Sequence, residues 1–125
     1  MNNKILIIDD NPDICLVMKE ILEKDQHIVF TAISGKEGIT TARKQKPDLI
    51  FLDIVMDKMD GFSVLDELKK SKDTLAIPVV MLTGQDDEAS RIKTASSYSD
   101  DYLVKPVNPE VIQAKVKQVL EGRGK

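Results

Sequence analysis

Five side chains with the chemistry of a phosphoryl-transfer site directly follow short apolar runs in this sequence. Asp9 and Asp10 follow the first run, Asp53 the third, Thr83 the fourth and Lys105 the fifth. Three carboxylates in one crevice would repel one another unless a hard cation lay among them. Mg²⁺, or Mn²⁺ in its place, is the best candidate, because Mg²⁺ prefers oxygen ligands and often binds one or two carboxylates together with a phosphate.

A carboxylate in such a site can attack a phosphoryl group and become an aspartyl phosphate, a step that depends on positioning and on neutralisation of charge. Asp10 and Asp53 can supply carboxylates to the ion. Thr83, Lys105 and the ion can then neutralise the equatorial phosphoryl oxygens. The five residues therefore predict metal-assisted phosphorylation of Asp53.

Each of these residues also has an ordinary structural explanation. Asp is common in turns and at helix starts, Thr83 could hydrogen-bond its own backbone, and Lys105 could lie in a solvated turn. Their combined placement has no comparable explanation, because an acidic cluster without a cation would lower stability. We therefore interpret the five as one site.

Five apolar runs predict the strands that position this site, since each is too short for a helix and rich in Ile and Val. They are Ile5–Ile8, Ile28–Phe30, Leu49–Leu52, Val79–Leu82 and Tyr102–Val104. Apolar residues at helical spacing predict helices around Ile14–Leu22, Gly38–Ala42, Phe62–Leu68, Ala89–Ala95 and Ile112–Leu120. This alternation predicts a flavodoxin-like, doubly wound α/β fold: a five-stranded parallel sheet of order 2-1-3-4-5 with helices on both faces.

In that order, ligands bind at the carboxyl ends of strands one and three. Neighbouring strands lie about 4.8 Å apart, so Thr83 should be next to Asp53, whereas Lys105 must reach across roughly 10 Å with its long side chain. Asn11-Pro12 and Asn108-Pro109 predict helix starts.

Length, charge and composition limit the class of protein. The 125 residues suit one domain, with a core at 4–120 and a polar tail or linker start at 121–125. The 18 basic and 21 acidic side chains are spread along the chain, so we expect no direct binding to nucleic acid. No run approaches membrane-spanning length, and the lone Cys15 cannot form an internal disulfide. We therefore expect a cytoplasmic protein without a membrane segment.

Over residues 4–120 the sequence resembles the receiver domain of two-component response regulators, including single-domain chemotaxis regulators. The matching segments are Ile7–Asn11 (IIDDN), Leu52–Met56 (LDIVM), Met59–Gly61 (MDG), Leu82–Gly84 (LTG) and Asp100–Pro106 (DDYLVKP). Together they are highly specific for the family. Three residues depart from the usual pattern, namely Asp57, Tyr98 and Val107. Since a bulky residue tolerates positive φ poorly, Tyr98 predicts a local rearrangement before strand five.

The resemblance implies a phosphorylation-activated switch that is not an enzyme, beyond self-phosphorylation from small phosphodonors and self-dephosphorylation. It implies Mg²⁺ binding by Asp10, Asp53 and the Val55 carbonyl, with Asp9 assisting through water, and a response to the phosphate by Thr83, Tyr102 and Lys105. Because the only histidine, His27, lies far from the acids, a histidine kinase or phosphotransfer protein must donate the phosphoryl group. The face formed by the fourth helix, strand five and the last helix would control an unknown output protein or a missing output domain, and could form a dimer.

Two other functions compete with this interpretation. A small aspartate-nucleophile phosphatase would use similar groups, but it needs an Asp-x-Asp arrangement after the first strand that Asp9-Asp10-Asn11 lacks. A receiver-like interaction module that is never phosphorylated is the other alternative. A nucleotide-binding or flavin-binding protein is not expected, because no glycine-rich loop follows the first strand.

Overall fold

A computed structural model of the chain describes residues 3–56, 59–84, 101–105 and 108–123. The strands of its sheet are β1 (Lys4–Ile8), β2 (Ile28–Ala32), β3 (Leu49–Asp53), β4 (Val79–Thr83) and β5 (Asp101–Val104). All neighbouring pairs are parallel, and the order is β2-β1-β3-β4-β5. The predicted flavodoxin-like sheet is therefore confirmed.

The described helices are α1 (Pro12–Lys24), α2 (Gly35–Gln45), α3 (Gly61–Lys70) and a C-terminal helix (Pro109–Arg123). None of them combines the length and apolar character needed to cross a lipid bilayer. The helix predicted around Ala89–Ala95 lies outside the described residues, as do Asp57, Tyr98 and Val107.

The helices cover both faces of the sheet, as predicted. Along β1, Leu6 and Ile8 belong to the core shared with α2 and α3, whereas Ile5 and Ile7 belong to the core shared with α1 and the C-terminal helix. All four side chains are fully buried. Burial on both faces explains why the strands are continuous apolar runs in the sequence and not alternating patterns.

Several strands are longer than their apolar runs. β2 continues past Phe30 because Thr31 and Ala32 pair with Ile7 and Ile8 of β1. Backbone pairing, and not hydrophobicity, determines where these strands end. The predicted end of the second strand was therefore two residues short.

Side-chain caps begin the helices where the sequence predicts them. Asn11 Oδ1 accepts a hydrogen bond of 2.9 Å from the Asp13 amide, and Asn108 Oδ1 accepts one of 2.9 Å from the Val111 amide. Both caps precede a proline at the first helical position, which confirms the two predicted helix starts.

Candidate functional site

Parallel register brings three carboxylates together at one edge of the sheet. Ile8 pairs with Leu52, so Asp9 and Asp53 lie side by side at the carboxyl ends of β1 and β3. One carboxylate oxygen from each of Asp9, Asp10 and Asp53 lies within 4.8 Å of the other two. Asp9 and Asp53 are buried, with 0% and 4% of their surfaces exposed, and Asp10 is half-buried. The oxygen donors of this cluster fit the ligand preference of Mg²⁺.

Lys105, at the end of β5, reaches the acidic cluster past the end of β4. Its Nζ lies 3.0 Å from Asp9 Oδ2 and donates a hydrogen bond of 3.2 Å to Asp53 Oδ1. The Lys105 amide donates to the Thr83 carbonyl at 2.7 Å, which holds the end of β5 against the end of β4. The lysine therefore reaches across β4 to the acids, as the sequence predicts.

Burial and charge both change the ionisation of the cluster. Burial, followed by the negative charge of Asp9, raises the pKa of Asp53 from 3.8 to about 6, while Lys105 opposes this shift. Burial alone would lower the pKa of Lys105, but its contacts with Asp9 and Asp53 raise it. In the absence of a metal ion the lysine is thus fully protonated at neutral pH and partly compensates the carboxylates.

Cys15 lies beneath the cluster without taking part in its chemistry. Its Sγ donates a hydrogen bond of 3.4 Å to the Asp9 carbonyl. Burial, followed by the charge of Asp9, raises the pKa of this thiol to about 11. Because a thiol in this state is almost wholly protonated and weakly reactive, Cys15 acts as a small packing residue.

Thr83 and Tyr102 occupy different positions relative to Asp53. Asp53 pairs with Leu82, so Thr83 lies one residue beyond it at the end of β4, where it is buried. The Thr83 hydroxyl donates to the Gly84 carbonyl at 3.4 Å, a long and weak bond. Tyr102 pairs with Met81 further down β5 and is 37% exposed. Of these two residues, Thr83 therefore lies at the carboxyl end of its strand, and Tyr102 does not.

The loop after Asp53 is held by backbone contacts that sequence patterns did not single out. The Val55 amide donates to Asp53 Oδ1 at 3.4 Å, and the Val55 side chain is 66% exposed. The Gly61 amide donates to the Ile54 carbonyl at 2.7 Å. A Cβ atom at Gly61 would lie 2.7 Å from Ile54 Cα, which no real side chain permits. A glycine in the first turn of a helix that follows a buried strand is the signal that could have indicated this close approach.

Comparisons with known proteins agree with this geometry. Residues 5–117 match the family model described as the response regulator receiver domain. The chain is 38% identical over 120 residues to the alkaline phosphatase synthesis transcriptional regulatory protein PhoP of Bacillus subtilis, covering 96% of this chain and 49% of PhoP. It is also 38% identical over 119 residues to protein PilH of Pseudomonas aeruginosa, covering 95% of this chain and 98% of PilH. It thus spans about half the length of PhoP and nearly all of PilH.

The fold is also found among solved structures. Chemotaxis protein CheY4 of Vibrio cholerae superposes with a TM-score of 0.89 at 28% sequence identity, covering 96% of this chain and all of CheY4. The fold of the chain therefore agrees with the family match.

Proposed function

Because this chain belongs to the response regulator receiver domain family, we propose that it is a signalling switch in which Asp53 accepts a phosphoryl group. One observation carries the proposal: the buried Asp53 carboxylate lies among Asp9, Asp10 and the Lys105 ammonium at the carboxyl edge of the sheet. This arrangement combines a nucleophile, carboxylate ligands for a metal ion and a cation for the phosphoryl oxygens.

The contacts of Asp53 suggest different roles for its two carboxylate oxygens. Oδ1 accepts hydrogen bonds from Lys105 Nζ and from the Val55 amide, at 3.2 and 3.4 Å. We expect Oδ2 to attack the phosphorus atom of a phosphohistidine. The new O–P bond forms as the P–N bond breaks, and the imidazole nitrogen of the donor keeps the electron pair.

The carboxylates of Asp10 and Asp53 and the carbonyl of Val55 would hold Mg²⁺, with Asp9 assisting through water. When bound, the ion supplies positive charge that stabilises the phosphoryl oxygens. The Lys105 ammonium lies within reach of Asp9 and Asp53 alike, so it can contact the phosphoryl group without a change of backbone position.

Thr83 would convert phosphorylation into a structural change. The phosphoryl group adds roughly 1.5 to 2 negative charges and strong acceptor oxygens beside Thr83. Within the part of the chain that the structure describes, the Thr83 hydroxyl makes one hydrogen bond, of 3.4 Å to the Gly84 carbonyl, so it can turn to donate to the phosphate. Tyr102, half-exposed on β5, would respond next.

The energies indicate a switch that a partner completes. Charge-assisted hydrogen bonds from Thr83 and Lys105 contribute about 1.5 to 3 kcal/mol each. Full reversal of a two-state equilibrium from 1:99 to 99:1 needs about 5.5 kcal/mol. Phosphorylation alone therefore shifts the population incompletely, and an output partner that prefers the active face would finish the shift.

The donor would be a histidine kinase or a phosphotransfer protein, in the cytoplasm. The output would be a separate protein or an attached domain that contacts β5, the C-terminal helix and the helix predicted around Ala89–Ala95. The same face could mediate a dimer. We expect the single domain itself to bind no nucleic acid, because its acidic and basic residues are spread along the chain.

The test is incubation with Mg²⁺ and phosphoramidate, followed by intact mass measurement. The native chain should gain one phosphoryl group, and Asp53→Asn should gain none. Asp10→Asn is expected to slow the reaction strongly, and the effect should lessen at high Mg²⁺ concentration. An unmodified native chain would favour the interaction module, whereas repeated turnover of an external phosphomonoester would favour the phosphatase.

A further inference from the structure

Two neighbouring helices end in basic residues at the amino-terminal edge of the sheet, opposite the acidic cluster. α2 and α3 contact each other on one face of the sheet and lead into the adjacent strands β3 and β4. The Ile50 amide donates to the Pro78 carbonyl at 3.0 Å, so the turns that precede these two strands lie side by side. The residues at the ends of the two helices therefore belong to one surface.

The charge of this surface is strongly positive. Residues 43–48 (RKQKPD) and 69–73 (KKSKD) contain six basic and two acidic side chains. The six basic residues, called the basic edge below, are Arg43, Lys44, Lys46, Lys69, Lys70 and Lys72. All of them except Lys69 are exposed. The whole chain has a net charge of -3, so the fold separates positive charge at this edge from the carboxylates at the other.

Helix dipoles explain only part of this positive charge. The last turns of α2 and α3 each hold two basic residues, which the negative end of a helix dipole favours. Lys46 and Lys72 lie outside the helices, where the dipole acts less strongly. α1 ends differently, because Glu23 and Asp25 flank its last lysine, Lys24. The basic edge is therefore a particular feature of α2 and α3, and not a general consequence of helix ends.

A hydrogen-bonded turn presents a large apolar side chain beside these cations. Leu75 is 54% exposed. Its amide donates to the Ser71 carbonyl at 2.8 Å, and its carbonyl accepts a hydrogen bond of 3.2 Å from Lys69 Nζ. Lys69 Nζ also donates to the Ile77 carbonyl at 2.8 Å. Leu75 and Lys70 line one cleft, so the turn holds an apolar side chain in solvent next to an exposed cation.

We propose that the basic edge docks on an anionic lipid membrane, with Leu75 inserted at the boundary between headgroups and acyl chains. Clusters of four to eight Lys and Arg residues bind anionic lipid surfaces, and the five exposed members of the basic edge fall in this range. An apolar side chain strengthens such binding when it enters the boundary region. The same side chain adds nothing to the affinity for a nucleic-acid backbone, which is electrostatic.

Docking in this orientation leaves the phosphoacceptor site accessible. Asp53 lies at the carboxyl end of β3, a strand of five residues that spans roughly 16 Å from the basic edge to the acidic cluster. Asp53 would therefore face away from the membrane, toward a phosphoryl donor in solution. The proposed contact is thus independent of the phosphoacceptor function and goes beyond it.

The test is co-sedimentation of the native chain with vesicles of phosphatidylglycerol and phosphatidylcholine in equal parts, compared with vesicles of phosphatidylcholine alone. At about 0.1 M salt the chain should bind the anionic vesicles and not the neutral ones. Binding should be lost at about 1 M salt, because the Debye length falls from about 10 Å to about 3 Å. Equal binding to both kinds of vesicle, or binding to neither, would overturn the proposal.

A pair of double variants separates the basic edge from overall charge. Lys46→Gln with Lys72→Gln removes one exposed cation beyond each helix, and at about 1 kcal/mol per cation it should weaken binding to anionic vesicles roughly 30-fold. Lys36→Gln with Lys117→Gln makes the same change in net charge at exposed positions away from the basic edge. This control should weaken binding by less than about threefold. Equal weakening by the two would contradict the assignment of the surface.

Leu75→Ser tests the inserted side chain at an exposed position, where folding should tolerate the change. It should weaken binding to anionic vesicles roughly tenfold, because the apolar side chain is lost from the boundary region. Unchanged binding in this variant, or binding of the native chain to polyglutamate more tightly than to the vesicles, would indicate an acidic protein partner and overturn the proposal. Phosphorylation by phosphoramidate should be the same in all these variants, so it reports separately on the proposed function.

Discussion

Lys105 Nζ lies 3.0 Å from Asp9 Oδ2, a contact that connects the end of the last strand of the sheet to the end of the first. The side chain crosses the ends of β4 and β3 to make it, and on the way it donates to Asp53. In the metal-free protein this ammonium is positioned to compensate the buried carboxylates. The same group is positioned for a phosphoryl oxygen on Asp53.

Removal of this cation should destabilise the metal-free protein. Lys105→Met leaves Asp9 and Asp53 without their ammonium, and we expect the free energy of unfolding to fall by about 1–3 kcal/mol, because Lys105 is partly exposed. Mg²⁺ should raise the melting temperature of this variant more than that of the native chain. Lys117→Met, at an exposed position of the C-terminal helix, is the matched control and should change stability by less than about 0.5 kcal/mol. Equal destabilisation by both variants would contradict the account.

The stability of the metal-free protein should depend on pH through Asp53. Its folded-state pKa is raised from 3.8 to about 6, so folding favours the neutral carboxyl. The contribution of neutral Asp53 to the free energy of unfolding is therefore fully present below pH 3.8. It is lost as the pH rises through about 6.

Relative to Asp53→Asn, the native chain should lose about 1–3 kcal/mol of unfolding free energy over this pH window. Chemical denaturation of both proteins at a series of pH values, with a chelator present, measures the difference. A difference that does not vary with pH would show that Asp53 ionises normally. Saturating Mg²⁺ should reduce the difference at neutral pH.

Gly61 should be required for the shape of the loop that carries Val55. A Cβ at Gly61 would collide with the backbone at Ile54, so Gly61→Ala should lower unfolding free energy by about 2–4 kcal/mol. Gly84→Ala is the control, because a Cβ at Gly84 would meet no atom of the described residues within 4 Å. Mg²⁺ affinity, measured by calorimetry at a temperature where both variants are folded, should fall only in Gly61→Ala. Unaltered Mg²⁺ affinity in Gly61→Ala would show that the shape of this loop does not affect the metal site.

Gln26 should be a strained position that glycine relieves. Its φ of 69° places a side chain in the left-handed region at the position where the Schellman motif favours glycine. We expect Gln26→Gly to raise unfolding free energy by about 0.5–1 kcal/mol. Gln118→Gly, inside the C-terminal helix, should lower it by about 1 kcal/mol. Thermal unfolding of the two variants gives shifts of opposite sign if this is correct.

The sequence predicts most of this architecture because burial on both faces makes each strand a distinct apolar run. The right-handed crossover rule then leaves few strand orders, and parallel strands place Asp9 and Asp53 at one edge. The extension of β2 to Ala32 was not predictable from hydrophobicity, since it depends on pairing with β1.

Other features depend on three-dimensional contacts that spacing alone does not encode. Glycine is the usual residue at a positive φ, but position 26 is a glutamine, so the residue type does not predict this conformation. The close approach of Gly61 to Ile54 depends on the path of the loop between β3 and α3, and the unsatisfied Nδ1 of His27 depends on packing around the buried ring. The roles of Thr83, Tyr102 and Val55 stay predictions that need the phosphorylated state.

The most direct measurement is a crystal structure of the chain with Mg²⁺ and beryllofluoride, a mimic of an acyl phosphate. The account predicts beryllium bonded to an Asp53 carboxylate oxygen, with Thr83 Oγ1 moved from the Gly84 carbonyl to a fluoride and with Lys105 Nζ on another fluoride. Asp53 without beryllium at saturating beryllofluoride, or bonded to it while Thr83 keeps its contact with Gly84, would contradict the proposed switch.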